Sequence, residues 1–107
     1  MEKKKALIID KERDFCLLMT HYLSRKNINS YYTDTIDEGL KIIELKRPNI
    51  IIADKNILGL ENSLNFIIDT TDDYDPTVFF NYRNGYGKEG SRTALIEEII
   101  KWIRDKF

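Results

Sequence analysis

The sequence is poor in cysteine and in long apolar runs, and each shortage excludes a class of protein. Cys16 is the only cysteine among the 107 residues, so an internal disulfide and a multi-cysteine metal site are excluded. The apolar run that follows the basic N-terminal residues stops at Asp10, too early for a signal peptide or a membrane-spanning helix. We therefore expect a cytoplasmic protein that does not bind membranes.

The sequence also lacks an excess of charge of either sign. It contains 17 basic and 18 acidic residues, for a formal net charge of -1. This balance gives no electrostatic reason to expect binding to nucleic acid or to an anionic membrane. The one histidine, His21, falls off the apolar stripe of its predicted helix, so we expect it to face solvent without a catalytic role. Proteins and small ions are the partners that this composition favours.

The length and the 42% hydrophobic content predict a single domain over residues 1–107 with one ordinary core. Short apolar runs alternate along the chain with segments whose apolar residues recur at helical spacing. This alternation predicts a three-layer α/β fold in which right-handed crossovers build a doubly wound parallel sheet. Strands are predicted at residues 6–9, 29–33, 50–53 and 77–80, and helices at residues 13–26, between Thr35 and Pro48, at residues 62–70, and from a cap at Ser91 onward.

The predicted helices carry apolar stripes that we assign to the core. Leu18 belongs to the stripe of the first helix, and Leu45 belongs to that of the second. Thr35 is the expected N-cap of the second helix, and Glu38 stands three residues later, as a capping box requires.

Two predicted strands end in an aspartate. The run of residues 50–53 stops at Asp54, and the run of residues 6–9 stops at Asp10, which is followed by Lys11 and Glu12. Ligands of open α/β sheets bind at the carboxyl ends of the strands. If these strands are parallel neighbours, Asp10 and Asp54 meet at one rim of the sheet, which would be a candidate phosphate or metal site.

Placed on this alternating fold, the motifs resemble the receiver domain of two-component response regulators. The resemblance covers residues 4–82 in order, and the last helix fits the final helix of that family. It rests on the first-strand motif Ile8, Ile9, Asp10 and Glu12, on the third-strand run from Pro48 to Asp54, and on Leu58 and Gly59.

The resemblance implies roles for three residues. Asp54 occupies the position of the aspartate that accepts a phosphoryl group from a histidine kinase. Asp10 occupies the position of the first acid of a magnesium-binding pair, and Asn56 falls where the family uses a backbone carbonyl to hold the metal. The fold that the resemblance implies is flavodoxin-like.

Two substitutions depart from the receiver pattern. Lys11 stands where the family has its second acid, a direct magnesium ligand, so we predict weak or absent magnesium binding. Glu12 is a weaker candidate to replace that ligand, and a surface glutamate at the start of the helix is the favoured interpretation. Asn81 stands where the family has a threonine or serine hydroxyl that binds the phosphoryl group.

A third departure is a shortening after the fourth strand. A receiver continues there with a helix, a fifth strand and a lysine, but residues 82–90 are too few for a crossover and a strand. We therefore predict a four-stranded sheet in the order 2-1-3-4, with the first and last helices on one face. Lys88 is a candidate for the family's lysine by composition only.

Three functions follow from these residues. The first is a pseudo-receiver, a regulatory protein-interaction module in which the Lys11 ammonium lies against Asp10 and Asp54 in place of a metal. The second is an active receiver that a histidine kinase phosphorylates on Asp54. The third, an aspartate-nucleophile phosphatase, is the weakest, because Asn56 stands where such an enzyme has its second aspartate.

We favour the pseudo-receiver, which is not an enzyme. Its expected partners are a histidine kinase or a downstream regulator. The edge of the fourth strand and the last helix are also apolar enough to predict a homodimer.

Overall fold

The computed structural model describes residues 3–81 and 89–107, in which strands and helices alternate. The elements are β1 (Lys5–Ile9), α1 (Arg13–Arg25), β2 (Asn29–Thr33), α2 (Ile36–Lys46), β3 (Ile50–Asp54), α3 (Leu60–Thr70), β4 (Thr77–Asn81) and α4 (Glu89–Lys106). The predicted deletion falls largely on residues 82–88, which lie outside the described residues, as does Lys88. No helix within the described ranges combines the length and the apolar character needed to cross a membrane.

The strands form one parallel sheet in the order β2-β1-β3-β4, which confirms the predicted α/β fold and strand order. The sheet is consistent with a flavodoxin-like fold. Its register pairs Ile9 with Ala53 across β1 and β3, and Asp54 with Asn81 across β3 and β4. The carboxyl ends of these three strands therefore lie side by side.

Helices cover both faces of the sheet. Side chains of α1 and α4, among them Phe15, Met19, Ile96 and Ile99, pack on one face in a single core cluster. Side chains of α2 and α3, among them Ile43, Leu60 and Leu64, pack on the other face against Leu7, Ile9 and Ile51. The prediction that the first and last helices share a face is confirmed.

Two predicted core leucines are exposed. Leu45 is 80% exposed, because the core-facing stripe of α2 runs through the partly buried Ile36 and Leu40 to the buried Ile43, and Leu45 lies two residues beyond it. Leu18 is 39% exposed at the margin of the α1 stripe, whose buried centre is Phe15 and Met19. In both helices the apolar residues outnumber the positions that face the sheet.

Two helix starts differ from their predicted positions. Helix α3 begins at Leu60, two residues early, because Gly59 adopts φ 83° as its N-cap and turns the fully buried Leu60 into the core. Helix α4 begins at Glu89, so Ser91 lies inside the helix and is not its cap.

The predicted cap of α2 is confirmed in one of its two parts. The hydroxyl of Thr35 accepts a hydrogen bond from the Glu38 N–H at 3.3 Å. The reciprocal bond of a capping box is replaced, since the Thr35 N–H donates to the hydroxyl of Thr33 at 3.3 Å. The end of β2 therefore helps to fix the start of α2.

Three turns at the amino ends of the strands contain a non-glycine residue with positive φ. Asn27 has φ 62°, Arg47 has φ 45° and Asp73 has φ 57°. Each residue follows one helix and precedes the next strand, so all three lie at the end of the sheet opposite Asp10 and Asp54.

Candidate functional site

Three polar residues stand in a row at the carboxyl ends of β1, β3 and β4. Asp10 directly follows β1, while Asp54 and Asn81 are the last residues of β3 and β4 and are paired in the register. Neighbouring strands lie about 4.8 Å apart, so each of these residues is adjacent to the next. The sequence prediction that Asp10 and Asp54 meet at one rim is therefore supported by the register.

Alternation along the strands directs all three positions to the same face of the sheet. Ile8 and Ile52 belong to the core cluster under α1 and α4, and Phe79 packs against that cluster. Asp10, Asp54 and Asn81 each lie two residues further along the same strands, and residues two apart share a face. The row therefore lies on the side of α1 and α4.

All three polar residues are buried. Asp10 is 3% exposed, Asp54 is 7% exposed and Asn81 is 4% exposed. Buried polar groups require hydrogen bonds or charged partners, because the free energy of removing them from water is otherwise unfavourable. Their contacts therefore decide what the rim can bind.

Each aspartate is oriented by the backbone that follows it. Asp10 Oδ1 accepts a hydrogen bond from the Glu12 N–H at 2.8 Å, and Asp54 Oδ1 accepts one from the Asn56 N–H at 2.9 Å. This bond to the amide two residues later is the Asx-turn pattern. The Asp10 N–H in turn donates to the carbonyl of Thr33 at 3.0 Å, which joins the rim to β2.

Asn81 has the most unusual environment at the rim. Neither its Oδ1 nor its Nδ2 has a hydrogen-bond partner among the described residues, although both atoms are buried. Its backbone, by contrast, is held in place, because the Asn81 carbonyl accepts a bond from the Lys55 N–H at 2.8 Å. Among the residues that the structure describes, the rim therefore offers one unused acceptor and one unused donor beside Asp54.

Lys11 does not take the place of a metal between the two aspartates. Its side chain is exposed and, within the described part of the chain, forms no ion pair with Asp10 or Asp54. It lines a cleft of about 270 Å³ together with Asp10 itself and with residues that include Arg13 and Tyr32. The predicted internal salt bridge is thus wrong, because Lys11 is exposed in the turn between β1 and α1 while both aspartates are buried.

The sequence reasoning missed the contact made by Lys55. Its ammonium lies 3.4 Å from Glu61 Oε2 in the first turn of α3. Lys55 follows Asp54 directly, so alternation places it on the opposite face, toward α3. A strand-end lysine with a glutamate six residues later is the only signal that the sequence gives for this pair.

The remaining candidates have simpler positions. The Asn56 side chain is exposed, and the residue lines a shallow cleft with Lys55, Leu58 and Gly59. Glu12 is the N-cap residue of α1, in agreement with the interpretation that it starts the helix. His21 is exposed, as predicted.

The rim has the chemistry of a hard-cation site with few anionic ligands. Carboxylate and amide oxygens are the donors that magnesium prefers, and Asp10, Asp54 and Asn81 supply them in adjacent positions. Asn81 Oδ1, which has no hydrogen-bond partner in the described ranges, fits such a role. No group of three or more acidic, histidine or cysteine side chains lies together in the described ranges, so the charged donors are limited to the two aspartates.

Comparison with known proteins does not assign the chain to a family. No family model matches the sequence, and no curated protein matches it.

Proposed function

We propose that this chain is a pseudo-receiver, a cytoplasmic regulatory module that binds a protein partner without efficient phosphoryl transfer to Asp54. The observation that carries the proposal is the composition of the buried rim. Asn81 stands beside Asp54 in place of a hydroxyl, and Asp10 is followed by an exposed lysine in place of a second acid. The expected partner is a histidine kinase or a downstream regulator.

The missing acid is the main argument against phosphoryl transfer. A phosphoryl group that approaches Asp54 brings negative charge to a buried carboxylate, and that charge requires a bound cation. Magnesium, where bound, would neutralise it, and Asp10, Asp54 and Asn81 are the residues that would hold the ion. A charged contact contributes about 1.5–3 kcal/mol, so the loss of one carboxylate ligand should weaken magnesium binding more than tenfold.

An active receiver phosphorylated on Asp54 is the second candidate function. The observation that favours it is the buried position of Asp54 beside Asp10 at the carboxyl ends of β3 and β1. In addition, the Asn56 N–H holds Asp54 in a fixed orientation at the rim. An aspartate-nucleophile phosphatase remains the weakest candidate, since Asn56 has no acidic proton to give to a leaving group.

Magnesium titration in the presence of beryllofluoride, a phosphoryl mimic, separates the first two functions. We expect weak binding to the unmodified protein and binding at least tenfold tighter to Lys11→Asp, which restores the second acid. Lys11→Gln removes the charge without adding a ligand, so it separates the two effects. Tight binding to the unmodified protein would favour the active receiver.

Mass spectrometry after incubation with acetyl phosphate and magnesium provides an independent test. We expect no added phosphoryl group on the unmodified protein and partial phosphorylation of Lys11→Asp. Asp54→Asn is the control that should abolish any phosphorylation at this site. Rapid modification of the unmodified protein, absent from Asp54→Asn, would overturn the pseudo-receiver proposal.

A further inference from the structure

A second cleft lies at the opposite end of the molecule from Asp54. It has a volume of about 400 Å³ and is lined by the residues that precede β1, the turn after α1 and the last two turns of α4. Pockets that hold small ligands have volumes of about 300–1,000 Å³. The five residues of β1 separate this cleft from the rim by about 16 Å, so the two sites are distinct.

The floor of the cleft is aliphatic and recessed. Ile28 is 7% exposed and Ile103 is 4% exposed, while Ile100 is half-buried beside them. Phe107 forms one wall and is 47% exposed. An apolar ligand inside the cleft would therefore contact the aliphatic side chains of its floor. A flat protein or membrane surface would not reach them.

The entrance of this cleft carries positively charged side chains. Lys3, Lys4, Lys26 and Arg104 all line it, and none of the described side chains that line it is acidic. This arrangement is unusual in a chain whose net charge is only -1. Clustered cations around a recessed site attract and concentrate anions.

The walls are held in place by hydrogen bonds. The N–H groups of Lys26 and Ile28 both donate to the carbonyl of Leu23, at 2.9 and 3.0 Å, and fix the turn after α1. The Phe107 N–H donates to the carbonyl of Ile103 at 2.9 Å. The Lys4 ammonium lies 4.7 Å from the centre of the Phe107 ring, a cation–π contact that joins the segment before β1 to the end of α4. The cleft is thus preformed, which lowers the entropy cost of binding.

We propose that this cleft binds an aliphatic carboxylate of the medium-chain fatty-acid class. The alkyl chain lies on Ile28, Ile100 and Ile103. The carboxylate pairs with the cations at the entrance of the cleft, chiefly Lys26 and Arg104. A bilayer surface is the poorer fit, because the two most buried isoleucines are recessed and only Phe107 protrudes. An acidic peptide would match the charge but would leave the aliphatic floor without an alkyl partner.

Isothermal titration calorimetry with decanoate, below its micelle concentration, tests the proposal. We expect saturable binding of one decanoate per chain, with no binding of acetate, which lacks the chain, or of decyltrimethylammonium, which reverses the charge. The double variant Lys26→Gln/Arg104→Gln should bind decanoate at least tenfold more weakly, since charge-assisted hydrogen bonds contribute strongly to affinity. Both side chains are exposed, so the variant should remain folded.

The matched control is Arg25→Gln/Lys41→Gln, which removes the same total charge from exposed positions that do not line the cleft. It should bind decanoate with the affinity of the unmodified protein. Equal loss of affinity in the two double variants would overturn the proposal, because only the net charge would then matter. Binding to phosphatidylglycerol vesicles or to a glutamate-rich peptide in the absence of decanoate binding would overturn it as well.

Discussion

Asp54 and Asn81 are direct partners in the register of β3 and β4, and the Lys55 N–H donates to the Asn81 carbonyl at 2.8 Å. The backbone of Asn81 is therefore fixed while both polar atoms of its side chain lack a partner in the described structure. An amide in this state reduces stability, because its free energy of removal from water is not compensated. Because burial of this amide is unfavourable without a partner, Asn81 is a candidate for contact with a ligand at the rim.

We expect Asn81→Leu to raise the free energy of unfolding by about 1 kcal/mol, because it replaces an unpartnered buried amide with an apolar group of similar size. Urea denaturation measures this change. Asn65→Leu, at an exposed position on α3, is the control and should stay within about 0.5 kcal/mol of the unmodified protein. A loss of more than about 1 kcal/mol in Asn81→Leu would show that the amide makes a stabilising bond.

Tyr74 should make stability depend on pH in the alkaline range. Burial raises the pKa of its hydroxyl from 10.0 to about 12, with Arg47 lowering it in part, and the hydroxyl donates to the Pro48 carbonyl at 2.7 Å. Because the pKa is higher in the folded state than in the unfolded state, the protonated hydroxyl contributes fully to stability below pH 10. This contribution is lost as the pH rises toward 12.

Between pH 10 and 12 the free energy of unfolding of the unmodified protein should therefore fall by about 1 kcal/mol relative to that of Tyr74→Phe. The decrease is smaller than the full pKa shift implies, because solvent screens this half-buried site. Urea denaturation at several alkaline pH values measures the difference. Tyr32→Phe removes a more exposed hydroxyl and should stay within about 0.5 kcal/mol of the unmodified protein at neutral pH. A pH-independent difference for Tyr74→Phe would contradict this account.

Gly39 sets the distance between α2 and the sheet. A Cβ atom built on Gly39 would lie 2.8 Å from Cδ1 of Ile9, which is fully buried and has little room to move. We expect Gly39→Ala to lower the free energy of unfolding by about 1 kcal/mol, because overpacking outweighs the gain in helix propensity.

Ile9→Val removes the clashing Cδ1, so it should recover at least part of this loss when combined with Gly39→Ala. A double-mutant cycle measured by urea denaturation should show a favourable coupling of about 0.5 kcal/mol or more. The control pairs Gly39→Ala with Ile51→Val, another buried position of the same core cluster, and should be additive. Additivity in the Ile9 cycle would mean that α2 shifts to absorb the new methyl group.

The fourth strand is expected to mediate a homodimer. Among the described strands β4 is at the edge, and Val78, Phe79 and Phe80 are only partly buried. The Thr77 N–H donates to the Asn49 carbonyl, so by the alternation of a parallel ladder the peptide groups of Val78 and Phe80 face away from β3. None of the described strands pairs with these groups, and we expect them to pair with the same strand of a second chain.

Sedimentation velocity at micromolar concentration tests this association. The unmodified protein should sediment as a dimer, and Val78→Pro should sediment as a monomer, because it removes an N–H that points outward and leaves the bonds to β3 intact. Circular dichroism verifies that this variant is folded. Leu45→Lys, at an exposed position on α2, should remain dimeric. A strictly monomeric unmodified protein would refute the prediction.

The periodicity of the sequence predicted the fold because local patterns and topology agree. Runs such as residues 50–53 are apolar at every position, as expected for a parallel strand covered on both faces, and all of them are buried. Alternation of strand and helix then allowed the order of the sheet to be predicted. Exact boundaries were less accurate, since the start of α3 depends on the φ of Gly59 and the position of Leu45 depends on a rotation around α2.

The rim was predicted in its location and less well in its contacts. Asp10 and Asp54 were placed together because strand ends are fixed by register. The direction of Lys11 depends on the turn between β1 and α1, which has no periodic pattern, and the sequence interpretation placed its charge in the wrong position. That the Asn81 amide has no partner among the described residues was also beyond prediction, because the presence of a hydrogen bond depends on distances of a few tenths of an ångström.

The turns at Asn27, Arg47 and Asp73 are positions at which substitutions could raise the free energy of unfolding. A left-handed conformation is unfavourable by about 1–2 kcal/mol for a residue with a side chain, although Asn and Asp tolerate it better than Arg. All three turns lie at the end of the sheet remote from Asp54, so substitutions that relieve their backbone strain leave the buried rim untouched. The fold can thus gain stability at the turns and tolerate destabilising substitutions at the rim. Under this condition the residues of the rim can change while the sheet keeps its structure.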